Sequence, residues 1–137
     1  MTKDLKRARG AFNLNIANIV IFPIFFILFL VFAGTIFAVA TTSRSEEGAT
    51  ALAAGVGIGL IFFWLFGIFE FGIWIAALVL TALAANIKNQ EKNTKTLLWV
   101  GFGLSFVFPL IGAIIAIVGA AKLKKYLLAT ESTNKYY

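Results

Sequence analysis

Residues 48–87 read GATALAAGVGIGLIFFWLFGIFEFGIWIAALVLTALAANI and hold one ionisable side chain, Glu70. How this stretch is divided decides the fold. As a single helix, residues 51–87 would be about 55 Å long at about 1.5 Å per residue, against a bilayer hydrocarbon core of about 30 Å. Tilt does not absorb that excess. Two spans of about 18 residues, roughly 50–67 and 70–87, fit the core instead. Gly67-Ile68-Phe69-Glu70-Phe71-Gly72 is then the turn, its glycines able to take the positive φ of a tight reversal. Trp64 and Trp74 bracket this turn and Trp99 opens the last apolar run. The division puts all three near an interface, where Trp is enriched.

Upstream, no charge occurs from Gly10 to Ser43. That run is too long for a signal-peptide core, although Ala38-Val39-Ala40 mimics a cleavage site. It predicts a span at about 12–40, with Asn13, Asn15 and Asn18 in its first turns and a kink at Pro23, which frees the carbonyl of Ile19. Residues 1–11 form a basic interfacial arm, with Lys3, Lys6, Arg7 and Arg9 against Asp4. Arg44, Glu46 and Glu47 mark a short polar loop. Downstream, the Lys- and Asn-rich loop 88–96 precedes a last span at about 97–121, kinked at Pro109. A basic cytoplasmic tail, 122–137, begins with Lys122, Lys124 and Lys125.

The expected fold is therefore an all-α integral membrane protein, a bundle of four transmembrane helices within 12–121. The alternative is three spans, one of them very long. With four spans and both termini cytoplasmic, the arm and tail place four Lys or Arg each inside, against one and three in the outer loops. The expected setting is the cell membrane, crossed several times, with the lipid bilayer as first partner.

Composition agrees. Hydrophobic residues are 61% of the 137 and charged residues 13%, against about 45–50% and about 25% in soluble domains. A soluble fold of that balance could not cover its own surface. The net charge of +6 sits in short clusters flanking apolar runs, where Lys and Arg meet anionic headgroups, so no basic groove for nucleic acid is left. Nine Lys against three Arg, with abundant Ile, Phe and Asn, resembles the bias of an AT-rich bacterial genome, so a bacterial source is the expectation. The absence of Cys and His removes disulfides, thiol catalysis, haem ligation and the usual zinc sets, and no cofactor or metal is expected.

Two features are the candidates for function. Small residues recur every fourth position: Ala51, Gly55 and Gly59; Ala77, Thr81 and Ala85; Gly112, Ala116 and Ala120, with Gly34 and Ala38 a weaker pair. In lipid such residues let backbones approach closely, within one bundle or across a subunit seam. Glu70 is the other, the one candidate membrane carboxylate, and at the expected turn water or a cation would satisfy it. No acid–base pair exists for it, and Ser105 has no basic neighbour in sequence, so no enzyme is expected. The reading is an accessory or scaffold subunit of a membrane complex, working through helix–helix packing in a homo-oligomer or with a larger partner. The alternatives are a dimeric proton-coupled transporter using Glu70 and a holin-like pore-former.

Overall fold

The computed structural model describes residues 2–42 and 45–134. They form four helices: α1 (Lys3–Thr42), α2 (Glu46–Ala85), α3 (Lys92–Leu104) and α4 (Pro109–Asn134). The described chain is all-α. α1 and α2 are each 40 residues long, about 60 Å at about 1.5 Å per residue. Both are long and apolar enough to cross a membrane.

α2 runs unbroken through Gly67–Gly72, so the expected turn does not form, and the expected spans 50–67 and 70–87 belong to one helix. Glycine permits positive φ without requiring it, and no glycine among the described residues adopts it. No proline lies in α2, so nothing removes an amide from its ladder. The very long helix, the weaker alternative in sequence, is the one that forms.

The expected last span, 97–121, is not one helix either. α3 stops at Leu104, residues 105–108 turn the chain, and α4 begins at Pro109. Pro109 is thus the first residue of a helix rather than a kink inside one. Proline suits that position, because the N–H it lacks would have no helical partner there. It also drives Phe108, before it, away from helical backbone. The turn keeps its amides paired: Ser105 N–H donates to Gly101 O at 3.0 Å, Phe106 to Gly103 O at 3.3 Å and Phe108 to Leu104 O at 2.7 Å. α1, by contrast, remains one helix through Pro23.

By packing the chain divides into two units, one made of Met1–Val20 with Gly72–Tyr137, the other of Ile21–Phe71. The first has a core of small side chains. Ala8 and Ala11 of α1, Ala84 and Ala85 of α2, and Ala120 of α4 are fully buried, together with Leu98 and Leu123. α3 and α4 run antiparallel, Leu98 against Gly119, Gly101 against Ala116 and Ser105 against Gly112. A Cβ on Gly101 would stand 2.7 Å from the Ala116 nitrogen, so only glycine permits this approach. Between α2 and α3, Gln90 Nε2 donates to the carbonyls of Ala84 (3.0 Å), Ala85 (2.8 Å) and Ile87 (2.9 Å). It thereby satisfies acceptors that a helix C-terminus leaves open. Asn89, the residue before it, takes the left-handed φ of 64° that asparagine tolerates.

The second unit pairs the later part of α1 with the earlier part of α2 through phenylalanines. Phe25 stacks on Phe66 at 5.4 Å and meets Phe63 edge-on at 5.5 Å. Phe29 and Phe32 reach the same Phe63 ring at 5.7 and 5.0 Å. Such pairs contribute about 0.5–1.5 kcal/mol each beyond their buried area. The Phe32 ring lies where a side chain on Gly59 would go. Outside this seam the large apolar side chains, among them Phe37, Phe62 and Trp64, are exposed.

Candidate functional site

Glu70 sits well inside α2, four residues beyond Phe66 and seven beyond Phe63. On a helix these three share one face, the face that meets α1 through its phenylalanine rings. The side chain is half-buried, and its Oε2 atom is buried with no hydrogen-bond partner among the described residues. The wet turn expected around it is absent, because the helix continues on both sides. Among the described residues no group of His, Cys, Asp or Glu could hold a metal ion. What Glu70 can do chemically is carry or release a proton in an aromatic, apolar setting.

The small-residue positions separate into those that pack and those that do not. Ala77, Ala116 and Ala120 are buried at 2%, 1% and 0% exposure, and Gly112 lies against the Ser105 backbone. Gly59 faces Phe32. Gly55 has nothing within 4 Å of where its Cβ would be, and Ala51 on the same face is exposed. Ala51 and Gly55 instead border a gap of about 270 Å³ whose other wall is Phe32, Thr35, Ile36 and Val39 of α1.

Asn15, Asn18, Thr81, Thr94 and Ser105 are buried in the first unit, a packing role that the sequence assigned to Thr81 alone. Asn15 Nδ2 donates to Ala11 O at 2.7 Å and to Thr81 Oγ1 at 2.9 Å, and Thr81 Oγ1 donates to Ala77 O at 2.7 Å. This bond ties α1 to α2. Asn18, 7% exposed, keeps its Oδ1 without a partner among the described residues. The signal for both asparagines was their spacing: with Leu5, Ala8 and Ala11 they complete the buried stripe of α1. Ser105 gives its hydroxyl to Gly101 O at 2.7 Å, so it serves the turn. Of these bonds, the one from Asn15 to Thr81 joins two helices. No family model matches the chain, and no curated protein or solved structure matches it either.

Proposed function

We propose that this is a multi-pass protein of the cell membrane that works without catalysis, as an accessory or scaffold subunit packed in a homo-oligomer or against a larger membrane complex. The observation that carries the reading is helix length. A core of about 30 Å takes about 20 residues of helix, and about 26 at a tilt of about 40°. α1 and α2 have 40 residues each, and between Gly48 and Ala85 the sole charge on α2 is Glu70. Roughly ten apolar residues of α2 therefore exceed what lipid covers, and exposed side chains such as Phe37 and Phe62 call for a protein surface.

In this reading α1 and α2 are the crossings, while α3 and α4 enter and leave on one side as a re-entrant pair, their turn internally hydrogen-bonded as the bilayer demands. The N-terminal cluster, the 88–95 loop and the tail then share the cytoplasmic side. Eleven of the twelve Lys and Arg lie there, with Arg44 alone opposite, a stronger asymmetry than four spans provide. Purification in mild detergent tests the proposal. A stable homo-oligomer or a larger copurifying membrane protein is the expected result, and a monodisperse monomer overturns it.

The buried, unpaired Oε2 of Glu70 favours a second reading, a dimeric transporter that exchanges protons for hydrophobic cations. The measurement is proton release by the purified protein on adding such cations, wild type against Glu70→Gln. Release that disappears in the variant would replace the scaffold reading by transport.

A further inference from the structure

The core of the first unit gathers three basic clusters that lie far apart in sequence. Ala8 and Ala11 follow the arm that carries Lys3, Lys6, Arg7 and Arg9. Ala85 and Ile87 precede Lys88, and Leu98 follows Lys92 and Lys95. Ala120 and Leu123 bracket Lys122 and adjoin Lys124 and Lys125. Since these apolar residues form one cluster, the cations beside them surround one end of the unit. One contact ties the arm to α4 directly, Thr2 N–H donating to Glu131 Oε1 at 3.0 Å, and just beyond the arm the centre of the Phe12 ring lies 5.0 Å from Lys124 Nζ.

Eight of these ten cations are exposed, and Arg7 and Lys124 are half-buried. The acids on the same segments are Asp4, 3.7 Å from Arg7, with Glu91 and Glu131, so positive charge predominates more than threefold. Immediately next to the collar the surface turns apolar. Trp99 and Val100 are exposed on α3, as are Phe106, Val107 and Phe108 at the far turn of the α3–α4 pair. Trp74, which packs edge-on against Phe106 at 5.7 Å, stands about 16 Å along α2 from its end at Ala85. That depth is about half of a hydrocarbon core. Cations in a ring above an apolar wedge of that depth match the layering of one leaflet, phosphate outside and acyl chain inside.

We propose that this collar is a binding site for anionic phospholipids, their phosphates held between the arm, the 88–95 loop and the start of the tail while their chains lie along the α3–α4 pair. The inference rests on the membrane reading given above. It assigns the charge a specific occupant in addition to orientation, because only the folded unit assembles three clusters around one headgroup layer. Charge alone would also attract nucleic acid, but the adjoining apolar surface suits a lipid.

The full chain is reconstituted in an equimolar mixture of phosphatidylglycerol and phosphatidylcholine, gently resolubilised, and its retained lipids are weighed by native mass spectrometry. The wild type should retain the anionic lipid about fivefold over the neutral one. The enrichment should fall towards equality in a variant joining Lys92→Ser, Lys95→Ser, Lys122→Ser and Lys125→Ser, and in wild type at about 0.5 M salt, where exposed charges are screened. The same four positions changed Lys→Arg should keep it, which separates charge from folding. Equal retention of both lipids by wild type, or full enrichment in the Ser variant, overturns the inference and leaves the membrane reading standing. Failure of the chain to enter bilayers overturns both. Copurifying nucleic acid released by nuclease, with no lipid preference, would reassign the collar and sink the proposal.

Discussion

A glycine is informative only through what stands opposite it. Gly112 faces the Ser105 backbone, which cannot rotate away, whereas Gly55 has no neighbour within 4 Å. Gly112→Leu should therefore lower the thermal stability of the detergent-purified protein, by about 1–3 kcal/mol as overpacking does. Gly55→Leu should leave the fold intact and even gain up to about 0.8 kcal/mol of helix propensity. Because the gap beside it, against Thr35 and Ile36 of α1, has room for the new side chain, Gly55→Leu should also leave the oligomer or partner in place on size exclusion. Equal destabilisation by both variants would mean that the 51–59 stripe packs within the chain after all. The buried asparagines obey the same logic: Asn15 is satisfied because Thr81 lies across from it, a pairing separated by 66 positions.

At the scale of elements, the decisive feature is that residues 97–121 double back. In a single straight helix, positions 98 and 119 would be about 31 Å apart. In the hairpin, Leu98 side-chain carbon lies 3.0 Å from the place of a Gly119 Cβ. The chain has no cysteine, so a paired Leu98→Cys and Gly119→Cys variant has no competing thiols. Mild oxidation should cross-link most of it within the monomer, detected as a faster-migrating band that reductant abolishes. A pair at positions 98 and 110 is the control and should stay reduced. Absence of the 98–119 cross-link would restore a straight last span, in which the control positions too would be about 18 Å apart.

For the whole molecule the proposed membrane arrangement makes the 88–95 loop the deciding segment. Four spans would put it outside, whereas the proposed two crossings with a re-entrant pair would put it with the termini. Single variants Lys6→Cys, Lys92→Cys and Ser132→Cys should react with an impermeant maleimide only after permeabilisation, and Glu46→Cys should react in intact cells. Labelling of position 92 from outside would reinstate four spans. In the proposed membrane setting the 40-residue length of α1 and α2 acts at this scale too, since it would exceed the hydrocarbon core and call for protein around the long pair.

Helical class, apolar surface, segregated charge and the poverty of reactive groups were all legible in the sequence, because they follow from composition and local periodicity. Glu70 was legible as a residue, since one acid among some forty apolar positions stands out by itself. Its surroundings were not. Whether Gly67–Gly72 turns or continues a helix is undecided locally, because glycine accepts either backbone at little difference in energy. Pro109 likewise permits a kink or a helix start. The tertiary structure chose between them through contacts between distant residues. Gly101 and Gly112 admit Ala116 and Ser105, and small alanines of α1, α2 and α4 close one core. That core brings the arm, the loop and the tail to one end. Local pattern defines each basic cluster, but only pairings across the chain determine that the three meet.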